Sequence, residues 1–182
     1  GWITSVAGSG IATDNYPGVY VQTGTTAGST ARAVQGPGWP SPMLTFSKDR
    51  IFVCNARFEC YTSATGTFYV SSGDIDTQRH IGFKVVDGIL KGSVGDGSAE
   101  TTVDLQTLGA GAFSVTRDLR AVFTAGVKCE FYVDGSLLGT ITTGLPTGVD
   151  TSPTLFVVKA MNNAVAQDKL LLPIFYHVAI KF

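Results

Sequence analysis

Charge is scarce in this 182-residue chain: Asp, Glu, Lys and Arg supply 15% of it, and 13 basic residues against 14 acidic ones leave a formal net charge of −1. Nucleic acid and anionic membrane surfaces call for a concentrated basic patch, so neither is an expected partner. No run approaches the roughly 18 apolar residues of a membrane helix, and no basic segment followed by an apolar core opens the chain. Membrane insertion is therefore not expected, and the chain reads as soluble. Gly1 is not an initiator methionine, so a processed product or a piece of a longer polypeptide is expected. No linker divides the chain, which reads as one domain over residues 1–182.

The residues of catalysis are few and scattered. Only His80 and His177 could act as imidazole bases, and both alternate with apolar strand residues, which reads as solvated strand positions. There is no Gly-x-Ser-x-Gly elbow, Walker loop or His-Glu-x-x-His helix. The only glutamates are Glu59, Glu100 and Glu130, far apart in sequence. A glycosidase pair would have to be gathered from separate strands, for example Glu59 with Glu130. Three cysteines cannot all pair within one chain. Cys54 and Cys60 share the inward face of one straight strand about 20 Å apart, beyond the roughly 7 Å a disulfide allows between Cα atoms. Cys129 also faces inward, so buried free thiols are expected and zinc is not.

What the chain does have is glycine, at 22 positions. It also has period-two alternation of apolar residues from end to end, with no helical spacing over any dozen residues. Strands are expected at Val19–Thr23, Met43–Phe46, Ile51–Tyr61, Thr67–Ser71, His80–Val86, Ile89–Val94, Thr101–Leu105, Leu119–Thr124, Val127–Val133, Leu137–Thr142, Leu155–Ala160 and Ile174–Phe182. Asp87-Gly88 and Asp134-Gly135 between apolar runs predict type I′ hairpins, and Ala125-Gly126 a third tight turn, so Leu119 to Thr142 reads as a three-stranded meander. Gly24–Pro42 and Gly144–Pro153 read as long loops. A dozen strands exceed one open sheet, so an all-β, two-sheet antiparallel sandwich is expected.

The stretch Cys129-Glu130-Phe131-Tyr132-Val133-Asp134-Gly135-Ser136-Leu137-Leu138-Gly139-Thr140 resembles the Phe-Tyr-x-Asp-Gly hairpin of concanavalin A-like and laminin G-like jelly rolls. Leu119–Phe123 and His80–Gly88 resemble further strands of that fold, extending the likeness over about half the chain. The Gly/Thr/Ala-rich composition, as in Thr142-Thr143-Gly144-Leu145-Pro146-Thr147-Gly148, resembles structural proteins of tailed bacteriophages. These resemblances imply a concanavalin A-like jelly roll and a non-catalytic virion-surface part, in a capsid decoration protein or a capsid or tail fibre. Its partners would be other virion proteins, copies of itself in a homo-oligomer, or a host-surface glycan. A glycoside hydrolase or lyase and a cellular, extracellular lectin or adhesion module are the alternatives.

Sugar recognition needs aromatic faces beside planar polar groups. Trp39 and Tyr16 lie in expected loops, with Asp14 and Asn15 beside Tyr16. Arg57, Glu59, Tyr61, Lys128, Glu130 and Tyr132 form an outward strip provided their two strands are neighbours; a solvated sheet face is the plainer reading. Trp2 and Trp39 serve equally as core plugs or subunit contacts. No cofactor is expected; laminin G-like domains imply calcium as the one candidate, through Asp74 and Asp76, which supply two side chains where calcium takes six to eight oxygens.

Overall fold

In the computed structural model, residues 2–8, 11–15, 18–23, 27–35, 45–60, 67–75, 78–108, 113–148, 156–161 and 169–180 are described. The strands in chain order are β1 (Trp2–Ala7), β2 (Ile11–Asn15), β3 (Gly18–Thr23), β4 (Thr30–Gln35), β5 (Arg50–Cys60), β6 (Thr67–Gly73), β7 (His80–Val86), β8 (Ile89–Gly95), β9 (Glu100–Thr107), β10 (Phe113–Thr124), β11 (Lys128–Val133), β12 (Ser136–Ile141), β13 (Phe156–Met161) and β14 (Lys169–Ile180). They form two seven-stranded sheets, ordered β1-β4-β13-β6-β7-β8-β9 and β12-β11-β10-β5-β14-β3-β2. Every pairing is antiparallel. No helix occurs among the described residues.

Alternation decides which face each strand buries. On β5, Phe52, Cys54, Ala56 and Phe58 are fully buried, while Val53, Asn55 and Arg57 face outward. They meet Phe83, Phe68 and Phe156 of the other sheet: Phe52 lies 6.4 Å from Phe83 and stacks on Phe156 at 5.7 Å, and Phe58 meets Phe68 edge-on at 5.8 Å, while Phe131 of β11 meets Phe83 edge-on at 5.4 Å. Offset and edge-on ring pairs each contribute about 0.5–1.5 kcal/mol beyond their buried area. Cys54 and Cys129 are buried free thiols, and burial pushes both far above their ordinary pKa; the side chain of Cys60 lies outside the described residues.

Two of the expected turns have the dihedral signs they require. Asp87 and Gly88 have φ of 47° and 80°, Asp134 and Gly135 of 49° and 82°, and each pair is the whole loop between residues in register. The third is longer than expected. Thr124 pairs with Lys128, leaving Ala125, Gly126 and Val127 as a three-residue turn closed by the Val127 N–H on the Thr124 carbonyl at 3.0 Å. Val127, which alternation puts on the same face as the inward Cys129, is instead 58% exposed.

Three strands were not expected. β4 lies inside the supposed loop Gly24–Pro42 and bridges β1 and β13 near one side of its sheet. Its inward residues are Ala31 and Ala33, both fully buried; small side chains carry little β signal yet fit where two sheets approach closely. β1 and β2 were likewise unforeseen, each at one edge of its sheet. The expected strand Met43–Phe46 is, in its described part, a single bridge at Thr45 followed by a turn at Phe46.

The outer face of the sheet holding β6 to β8 is covered. Tyr69, Ile75 and Val157 form a second apolar cluster there, backed by Val34 and Met161. His80, expected to be solvated, is fully buried on the same face. Its register partner is Gly95, where a Cβ would stand 2.6 Å from the imidazole Nδ1, so the missing side chain makes the room. Nδ1 donates to the Gln78 carbonyl at 2.8 Å, and Nε2 meets Ser93 Oγ at 2.8 Å. Ser93 donates to Glu100 Oε1 at 2.6 Å, and Lys84 donates to Glu100 Oε2 at 2.5 Å.

Candidate functional site

The solvent face of the other sheet carries a hollow of about 290 Å³, lined by Val53, Asn55, Asp118, Leu119, Arg120, Tyr132 and Gly135. Strand register builds it. Arg120 of β10 stands opposite Val53 on β5 and opposite Tyr132 on β11, making one outward row across three strands. Asp118 pairs with Asn55 in the next outward row, and the Asn55 amide donates to Asp118 Oδ1.

The Asp134-Gly135 turn folds against the end of this row and is pinned there. The Asp134 N–H donates to the Asp118 carbonyl at 2.8 Å, the Asp118 N–H donates to Asp134 Oδ1 at 2.9 Å, and Arg117 Nε stands 3.5 Å from Asp134 Oδ2. Arg120 lies over Tyr132, its guanidinium carbon 5.2 Å from the ring centroid. The arrangement offers an aromatic ring, a guanidinium, an amide and a carboxylate around a space for one small ring-shaped ligand, near the lower limit of about 300 Å³ for small-molecule sites.

Among the residues singled out from sequence, Tyr132 lines this hollow. The proviso on the outward strip fails, because β10 lies between β5 and β11. Arg57 pairs with Thr116, four positions along β10 from Arg120. The rise of an extended strand makes that a separation of about 13 Å. Asp14 and Asn15 end β2 at the far edge of the sheet, five strands from β11. The spacing between paired strands puts them about 24 Å from it. They and Tyr132 are not brought to one sugar site. Trp39, Tyr16, Tyr61 and Asp76 lie outside the described residues, as do the side chains of Asp14, Asn15, Glu59 and His177. His177 is placed by backbone register opposite Val53.

The Glu59–Glu130 pair is excluded by register. Glu59 is opposite Ser114 and Glu130 opposite Val122, eight positions apart along β10. That separates them by about 26 Å. Glycosidase carboxylates stand about 5–10 Å apart. Glu130 instead takes a hydrogen bond from Lys128 at 2.9 Å, which holds that ammonium above the ordinary lysine range. Asp74 Oδ1, one of the two calcium candidates, accepts from Arg32 at 2.6 Å and from the Ile75 N–H at 2.9 Å. Among the described residues no group of three or more His, Cys, Asp or Glu is placed to hold a metal.

Sequence reasoning missed Arg120, Asp118, Asn55 and Val53 as site residues. The signal was in β10: Asp118 and Arg120 alternate with the fully buried Leu119 and Ala121. That β10 stands between β5 and β11 is a fact of topology.

No protein-family model and no curated protein matches the chain. Solved structures do. The binding domain of Paraclostridial Mosquitocidal Protein 1 is 12% identical with a TM-score of 0.60, over 97% of this chain and 43% of that one. A structure of botulinum neurotoxin type C, whose cell entry depends on interaction with two ganglioside molecules, is 9% identical with a TM-score of 0.57, over 97% and 42%. The binding domain of botulinum neurotoxin DC in complex with SialylT is 11% identical with a TM-score of 0.58, over 97% and 42%. The chain thus spans less than half the length of these structures, and at such identities what it shares with them is an all-β sandwich fold.

Proposed function

We propose that this chain is a non-catalytic carbohydrate-binding sandwich that takes a single sugar ring in the hollow between Val53, Asn55, Arg120 and Tyr132. The observation that carries this is the make-up of the hollow: an aromatic ring beside planar hydrogen-bonding groups, on a sheet face whose glutamates stand too far apart for glycoside hydrolysis. The similar solved structures support the reading as binding domains, two of them described with a ganglioside or a sialyl compound.

The finer parts of this reading are a single domain over residues 1–182 of concanavalin A-like jelly-roll type, on a virion surface, in contact with copies of itself or with other virion proteins. Their support is the Phe131-Tyr132-Val133-Asp134-Gly135 hairpin with its positive-φ turn, the two antiparallel sheets and the composition. A cellular lectin shares the site and differs in context.

The test is a glycan array probed with the purified chain beside Tyr132→Ala. Saturable binding to one glycan class, weakened at least about tenfold by the substitution with thermal unfolding preserved, is the expected result. A folded chain that binds nothing on the array overturns the proposal.

A further inference from the structure

We propose that the hollow selects a sugar bearing a carboxylate, a uronic or a nonulosonic acid, and that Arg120 is the residue that selects it. This rests on the hollow being the glycan site. Arg120 is exposed and lines the hollow. Its guanidinium has five N–H donors, and among the described residues none of them meets a hydrogen-bond acceptor or an ion-pair partner; the interaction it makes is with the ring of Tyr132. Among the described residues, neighbouring cations have carboxylate partners. Arg117 faces Asp134, Lys128 is held by Glu130, and Asp118 accepts from Asn55. Arg120 has no carboxylate at ion-pair distance among the described residues, and it lines the hollow.

A neutral pyranose is recognised largely by stacking on an aromatic face, and the guanidinium already occupies one face of the Tyr132 ring. What the hollow presents is therefore an arginine fork backed by an aromatic ring. That fork matches a carboxylate in two parallel charge-assisted hydrogen bonds, which a neutral hydroxyl cannot equal. The Asn55 amide and the Asp118 carboxylate, in the adjacent outward row, are left to take the ring hydroxyls. Asp118 stands two positions along β10, about 7 Å from Arg120 between Cα atoms, and its opposition to an anionic ligand is weaker than direct contact of that ligand with Arg120 at hydrogen-bond distance.

The experiment is calorimetric titration of the whole chain with two matched pairs of probes, 3′-sialyllactose against lactose and trigalacturonate against its methyl ester. The pair that binds tells a nonulosonic from a uronic acid. The expected result is binding of an acidic member at least about tenfold tighter than its neutral counterpart, weakening as salt rises from about 50 to about 300 mM. Arg120→Lys, which keeps the charge and loses the fork, is expected to weaken that binding at least about tenfold with the melting transition intact. Asp118→Asn, which keeps an acceptor and removes the opposing charge, is expected to strengthen it severalfold. Equal binding of acid and neutral members, or binding indifferent to Arg120→Lys, overturns the selection while leaving the glycan site standing. A folded chain that binds none of the four probes and nothing on the wider array overturns both.

Discussion

Phe131 lies directly on Gly92. A Cβ built on Gly92 would stand 2.5 Å from Cγ of the Phe131 ring, closer than any side chain accepts. Gly92 is on β8 and Phe131 on β11, in opposite sheets. The glycine is the recess that receives the ring, and it lets Phe131 reach the edge of Phe83 at 5.4 Å.

Gly92→Ala is accordingly expected to destabilise the fold by about 1–3 kcal/mol through overpacking, read as a lower urea midpoint with an unchanged slope. Phe131→Ala is expected to cost about 3–5 kcal/mol. Because the two residues touch, Gly92→Ala should cost less in a Phe131→Leu background. Additive effects would show that the recess does not receive the ring.

His80→Ala removes the group that links Gln78 to Ser93 beneath the covered face and leaves a gap over Gly95. Losing these buried hydrogen bonds is expected to cost about 1–3 kcal/mol in chemical unfolding. Glycan binding at the hollow, which lies on the other sheet, is expected to stay within twofold, a limit of about 0.4 kcal/mol. A change beyond that would tie the two faces together.

Asp96 accepts hydrogen bonds from the N–H of Ala99 and from the hydroxyl and N–H of Ser98, and these hold its carboxyl below the ordinary aspartate range. A depressed folded-state pKa means that this stabilisation is full above the unfolded value of about 3.9 and is lost as pH falls through the lower folded value. The stability difference between the wild type and Asp96→Ala is therefore expected to be constant from about pH 5 to 7 and to shrink below about pH 4. A difference that persists at the acid end would assign the effect to backbone conformation instead.

Cys54 and Cys129 are buried, and burial raises both thiols, with the Glu130 charge adding to the rise at Cys129. The thiolate is the nucleophile, so neither should react with iodoacetamide in the folded chain at about pH 8, and both should react in guanidinium. Peptide mass mapping reads this out. The sign for stability follows: the unfolded chain releases these protons from about pH 8.5 upward and the folded chain does not, so stability is expected to decline as pH rises above that value. Rapid native labelling of Cys54 would contradict its place in the core.

Several elements were legible because their signal is local. Phe52, Cys54, Ala56 and Phe58 alternate with polar residues, so β5 and its buried face followed from the pleat alone. Asp87-Gly88 and Asp134-Gly135 demanded positive φ at both positions, and both pairs have it. β4 was hidden because Thr30–Gln35 puts alanines on its inward face and lies within a Gly/Thr/Ser/Pro-rich stretch. His80 was placed on the correct face and given the wrong environment, since its burial depends on the room left by Gly95 and on Ser93, both on the neighbouring strand β8.

Alternation and turn chemistry in the sequence by themselves determined an all-β chain with Cys54 and Cys129 inward and a β10–β11–β12 meander, since each depends on residues within a few positions of one another. Strand order was decided only in the tertiary structure. It placed β10 between β5 and β11, set Arg120 in one row with Val53 and Tyr132, and moved Glu59 far from Glu130. The physical reason is that a strand's pleat fixes which face each side chain takes, whereas the identity of its neighbours depends on contacts between residues far apart in the chain, which no local pattern encodes.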